Sequence, residues 1–161
     1  MRVFLSYAVG PVEATIAARL RAVAAAYDIA ILLPDRTMPH DNGVASESLK
    51  KIKQSDAVIG LMTTAADVSS VNVVIIELQA AYSAHKPIIV LAEKGVHVHD
   101  LPDSQVVQFN PLIPRMHEPA LLAALETIKQ QQQQKDFAAL GWLAGITLGL
   151  IALSELAGDK K

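Results

Sequence analysis

Ala57-Val58-Ile59-Gly60-Leu61-Met62, then Ser70-Val71-Asn72-Val73-Val74-Ile75-Ile76-Glu77-Leu78, then Lys86-Pro87-Ile88-Ile89-Val90-Leu91 is the stretch that decides the fold. Ala57 to Met62 and Pro87 to Leu91 are short apolar runs of the kind that make buried strands. Between them, Ser70 to His85 reads as a helix that opens on β-branched residues and continues through Leu78, Ala81 and Tyr82. Strand, helix and strand joined by short loops predict two parallel neighbours in one sheet.

The same alternation extends outward. On the N-terminal side, Arg2 to Tyr7 is an apolar run that ends near Gly10-Pro11, too short for a signal peptide, and reads as a first strand. Pro11 to Tyr27 places Ile16, Leu20, Val23 and Tyr27 at helical spacing, with proline at the helix start, where a missing N–H is tolerated. Ile29 to Leu33 is a second strand stopped by Pro34. Asp35 to Ala45 is a loop, and Ser46 to Gln54 a short helix with Ser46 as its N-cap. On the C-terminal side, Val106 to Phe109 is a fifth strand and Pro119 to Gln134 a final helix, prolonged through the glutamine tract from Gln130. The expected fold is therefore α/β, a parallel sheet of about five strands flanked by helices. Sheets of this kind bind ligands at the carboxyl ends of their strands, so chemistry is expected in the loops after Tyr7, Leu33 and Met62.

The 161 residues allow one domain and a short appendage. A net charge of −2 without a basic cluster argues against nucleic acid as a partner. The absence of cysteine excludes disulfide and thiolate chemistry. Apolar residues reach 52%, and many of them lie in the last twenty-five positions. Phe137 to Ser154 is uncharged, the lower limit of what spans a hydrocarbon core, and Leu156 and Ala157 can lengthen it. Gly141, Gly145 and Gly149 share one helix face, which suits close self-association in lipid, and Trp142 suits an interface. The domain plan is thus 1–128 for the α/β unit, 129–136 for a glutamine-rich helical linker and 137–157 for a membrane helix. The alternative is a helix that closes the soluble core or seams a soluble oligomer. Lys129 and Lys135 on one side balance Lys160 and Lys161 on the other, so charge does not orient it.

Glu77 is the leading candidate for chemistry. A carboxylate near the carboxyl edge can contact ribose hydroxyls and stabilise positive charge at an anomeric carbon as an N-glycosidic bond breaks. Around it, three features resemble Toll/interleukin-1 receptor (TIR) domains. Phe4-Leu5-Ser6-Tyr7 is similar to their F-I-S-Y opening. Leu49 to Met62 resembles their helix-to-strand passage, and Ser70 precedes Glu77 by seven residues, as in enzymatic members. The resemblance covers about residues 1 to 130. It implies a flavodoxin-like/TIR-like fold and NAD glycohydrolase activity, with Glu77 as the catalytic glutamate. It also implies a nucleotide pocket including Ser6, Tyr7, Asp35, Ser70 and Asn72, bordered by the loop from Pro34 to Val44. NAD enters as substrate, with no further cofactor and no metal. The resemblance also implies a bacterial anti-phage effector; with the uncharged C-terminal run read as a membrane anchor, the expectation is a single-pass inner-membrane protein, its domain in the cytoplasm, activated by oligomerisation. Its partners would be NAD, other copies of itself, the bilayer and an activating protein or nucleotide signal.

Rival readings stay open. Val73 stands where an aromatic residue commonly precedes the glutamate, and aromatic content is only 4%, which favours a non-enzymatic TIR-type adaptor or a membrane-disrupting oligomer. Glu77-Leu78-x-x-Ala81 with Lys86-Pro87-Ile88-Ile89 also resembles nucleoside deoxyribosyltransferases, whose glutamate is a covalent nucleophile, although the aspartate they carry six residues earlier is Val71 here. His97-x-His99-Asp100 reads as a polar loop rather than a metal site, since no further ligand cluster accompanies it.

Overall fold

The computed structural model describes residues 1–36, 45–96, 98, 105–110, 119, 121–123, 125–126 and 128–130. Five strands and three helices follow in the order β1 (Arg2–Tyr7), α1 (Pro11–Ala25), β2 (Ala30–Leu32), α2 (Ser46–Gln54), β3 (Ala57–Met62), α3 (Val68–Ser83), β4 (Ile88–Glu93) and β5 (Gln105–Phe109). All pairings are parallel, in the spatial order β2-β1-β3-β4-β5. The fold is the expected α/β sheet. Its order reverses direction between β1 and β3, where chain connections diverge, the position at which sheets of this kind take ligands.

The central strands are buried on both faces, which is why they read as unbroken apolar runs. Every residue of β3 is buried, and Val3, Phe4 and Leu5 of β1 are closed to solvent. One face holds Phe4, Val58 and Val90 from the sheet against Ile52 of α2 and Val74, Leu78 and Ala81 of α3. On the other, Ile31 and Ile59 border a small apolar cavity with Leu20, Val23 and Ala24 of α1 and with Leu121, Leu122 and Leu125.

Two close approaches set the position of α3. Gly60 of β3 lies beside Ser6 of β1 in register. A Cβ on Gly60 would stand 2.6 Å from Leu78 Cδ1, so only glycine lets α3 settle this deeply over the sheet. At the start of α3, Asp67 is the N-cap: its carboxylate accepts from the Ser70 amide at 2.9 Å and from the hydroxyls of Ser69 and Ser70. These bonds, that from Ser69 first, hold the Asp67 carboxyl far below the usual carboxylate range.

Several expectations are corrected at the residue level. Helix α1 ends at Ala25 rather than Tyr27; Tyr27 is exposed, and the left-handed Asp28 turns the chain. Its fully buried positions are Glu13, Ala17 and Ala24, while Ile16, Leu20 and Val23 are half-buried, because small side chains let α1 approach the sheet closely. Ser46 is the first helical residue of α2, not its cap; Ala45 holds that position and has no side-chain acceptor to offer.

Two compact units divide the chain, Met1–Leu125 and Glu126–Lys161. The sheet and α1 to α3 belong to the first. In the second, residues 126 and 128–130 are described and helical. Among the described residues no helix is long and apolar enough to cross a membrane. The 137–157 segment, with Trp142, Gly141, Gly145 and Gly149, lies outside them, as do His97, His99 and Asp100 and most of the Pro34 to Val44 loop.

Candidate functional site

Glu77 is the tenth residue of α3 and is closed to solvent. That position places it roughly 14 Å along the axis from Val68, well beyond the reach of the helix N-terminal dipole. Two side chains hold its charge instead. Ser6 Oγ donates to Oε2 at 2.5 Å. The Arg36 guanidinium forks onto the carboxylate, with Nη1 to Oε1 and Nη2 to Oε2 both at 2.8 Å. Nη2 also donates to the Tyr7 carbonyl at 2.9 Å. Planar bidentate pairing of this kind is strong and directional.

Local structure explains why the three meet. Ser6 lies one residue from the carboxyl end of β1 and faces α3, and the missing side chain at Gly60 lets the helix come within reach of it. Arg36 follows β2 by four residues. Its backbone approach is pinned by α2, where Lys51 Nζ donates to the Leu33 carbonyl at 3.0 Å and the buried Ser48 hydroxyl accepts from the Asp35 amide at 3.3 Å. The site thus draws on β1, α3 and the segment after β2, at the carboxyl edge beside the β1/β3 divergence.

The expected pocket residues separate. Ser6 joins Glu77. Tyr7 contributes its carbonyl to the Arg36 contact, but successive strand residues face opposite sides. Its side chain instead lines an open groove of about 480 Å³ along α1 with Ala14, Ala18, Arg21 and Leu33. Asp35 meets α2 through its backbone. Ser70 shares the Glu77 face of α3 but stands roughly 10 Å nearer the helix start, and its hydroxyl is spent on the Asp67 cap. Asn72 is exposed and about 140° round the helix from Glu77.

Two residues were not anticipated. Arg36 lies in a segment expected to border the site, but no local pattern marks which loop residue folds back onto the glutamate. Glu13, 2% exposed in the first turn of α1, is a second buried carboxylate: Oε1 accepts from the Thr63 hydroxyl just past β3, and Oε2 lies against Gly10. Among the described residues no cluster of histidine, aspartate and glutamate suits a metal ion.

No protein-family model matches the chain, and no curated protein matches it in sequence. Solved structures do resemble it. A 2-deoxyribosyltransferase from the psychrotolerant bacterium Bacillus psychrosaccharolyticus aligns over 68% of this chain and 86% of its own, at 17% identity and a TM-score of 0.52. A CMP N-glycosidase from Clostridium botulinum aligns over 74% and 99%, at 15% identity and 0.49. A 2-desoxiribosyltransferase from Leishmania mexicana aligns over 56% and 63%, at 16% identity and 0.45. At these identities the likeness is one of architecture: the chain has the five-stranded fold of the first of these proteins.

Proposed function

We propose that this chain cleaves the N-glycosidic bond of a nucleoside-type substrate, with Glu77 as the carboxylate at the anomeric carbon. The observation that carries the proposal is Glu77 itself: a fully buried carboxylate, oriented by Ser6 and charge-paired with Arg36, beside the strand divergence where such sheets take ligands. Carboxylates are rarely buried to this extent unless they are paired or serve a function. In the reaction the C1′–N bond breaks and its electron pair leaves with the base. The carboxylate stabilises, or bonds to, the positive C1′, and water finally supplies hydroxide to C1′ and a proton to the base. The shared architecture with a 2-deoxyribosyltransferase agrees with this chemistry, although architecture alone does not fix it.

NAD is the finer form of the substrate proposal, since its nicotinamide is also joined to ribose by an N-glycosidic bond; there the electron pair neutralises the pyridinium, and the proton of water goes to solvent. A TIR-type effector tethered to a membrane and active in defence is the biological form. One observation favours a second reading: the Arg36–Glu77 pair is already satisfied, as it would be in a non-enzymatic domain that uses it to tie three elements together.

The deciding measurement is base release from a panel of nucleosides, nucleoside 5′-phosphates, deoxynucleosides and NAD, by full-length protein and by Glu77→Gln. Release that falls at least about 10³-fold in the variant, with the circular dichroism of the fold retained, is the expected result. Equal rates in both proteins, or none from any substrate, favour the structural ion pair.

A further inference from the structure

We propose that Arg36 reads a phosphate, resting on Glu77 until a phosphorylated ribosyl substrate draws it away; the proposal rests on Glu77 being the reacting carboxylate. The geometry gives a reason for the resting pair to open. Both carboxylate oxygens accept from the guanidinium fork, and Oε2 accepts from Ser6 as well, so Arg36 stands over the face that a sugar would have to approach. A carboxylate paired with Arg36 stabilises a cationic sugar less than a free one, because two cations against one carboxylate repel each other.

Exposure indicates the route of approach. Ser6 and Glu77 are fully buried, whereas the Arg36 side chain is 20% exposed. The part of the site that reaches solvent is therefore the Arg36 side chain, and a substrate arriving from solvent meets that residue first. The backbone leading to it is held by Lys51 on Leu33 and Ser48 on Asp35, so the movement required is a swing of the side chain rather than an opening of the segment.

What can draw the guanidinium off follows from charge. Moved from Glu77 without a new anion, it would be left half-buried and unpaired, which is strongly unfavourable. A neutral nucleoside offers no replacement. A phosphate does, with oxygens that match the fork. A 5′-phosphate is carried by the same ring as the anomeric carbon, within the swing of a long side chain. Arg36 then exchanges one anion for another while Glu77 is released to the developing positive charge. Substrate recognition and unmasking of the carboxylate become a single event, and the preferred substrates are ribosyl phosphates over free nucleosides.

The test is equilibrium binding, by calorimetry, of ribose 5-phosphate, ribose and ADP-ribose to wild type, Arg36→Gln and Glu77→Gln. Wild type is expected to bind ribose 5-phosphate about tenfold or more tightly than ribose, and Arg36→Gln to lose that preference. Glu77→Gln is expected to bind ribose 5-phosphate about tenfold tighter than wild type, because the competing anion is gone. A merely structural arginine does not produce that gain. ADP-ribose separates a pyrophosphate from a terminal phosphate. Should Arg36→Gln fail to fold, Arg36→Lys keeps the charge without the fork and is expected to fall between. Phosphate preference that survives in Arg36→Gln, no gain in Glu77→Gln, or no binding by any of the proteins overturns the proposal. Base release without phosphate preference leaves the glycosidase standing and removes this role of Arg36. The binding pattern without any base release does the reverse.

Discussion

Ser6 shows how much of the site one atom controls. Its hydroxyl is the donor that β1 supplies to Glu77, and it is buried, so water cannot substitute easily. Ser6→Ala removes that donor and leaves a space smaller than a methyl group, so the fold should persist. Hydrogen bonds to charged groups are worth about 1.5–3 kcal/mol, which corresponds to a loss of roughly 10- to 100-fold in base release if the bond orients the reacting carboxylate. Rates measured on the substrate that Glu77 cleaves best would decide it; an unchanged kcat would remove Ser6 from the machinery. Ser6 and Glu77 were legible as candidates because motif and spacing lie within short stretches of sequence. Arg36 was not, because its partner is 41 residues away and no periodicity relates the two. Glu13 was hidden for another reason: an acidic residue in the first turn of a helix reads as solvent-exposed and dipole-favoured, and only the path of β3 brings Thr63 over it.

At the scale of elements, α3 is the part that must be placed correctly, and its two ends of control can be tested separately. Gly60→Ala puts a methyl group where Leu78 Cδ1 stands, one residue from Glu77. Overpacking of this kind destabilises by about 1–3 kcal/mol, and here it also lifts α3 from Ser6. Denaturant unfolding should show a lower midpoint, and base release should fall further than in variants of equal stability made elsewhere in the core. A loss of activity no greater than those controls would uncouple Gly60 from the site. The other end is the Asp67 cap. Its carboxyl is depressed in the folded chain relative to an ordinary value of 3.8, so the charged cap stabilises the fold above that value. The contribution is lost as pH falls through the depressed range, since the unfolded chain then binds the proton first. Asp67→Asn keeps an acceptor but not the charge. Its melting temperature should lie below wild type at neutral pH and converge with it in acid; a constant gap would show that charge is not the cause. The element order was legible from alternating apolar runs and helical segments, and the strand limits follow their burial. Helix ends were less so: Asp67 caps α3 with its carboxylate, as its residue type allows, but Ala45 precedes α2 by backbone geometry that its residue type does not reveal.

At the scale of the whole molecule, the sheet organises one site at one edge, while the uncharged run from Phe137 to Ser154 is a property of the sequence that invites its own test. If that run inserts in a bilayer, its hydrophobicity is the driving force, and one charge at its centre should oppose it by about 2.5–3.5 kcal/mol. Ile146→Lys is the appropriate change, because it sits mid-run and spares the glycines at 141, 145 and 149. Full-length protein is expected to float with liposomes in a density gradient and Ile146→Lys to remain largely below, by roughly 100-fold in partition. Base release by the variant in detergent should be unchanged, since Ser6, Arg36 and Glu77 all lie in the first unit. The glycine face gives the companion measurement: leucine at 141, 145 and 149 should leave flotation intact but weaken crosslinking between copies, because close backbone approach is lost. If wild type stays at the bottom of the gradient, the membrane reading of the run falls, and a helix that closes the soluble core or seams a soluble oligomer takes its place.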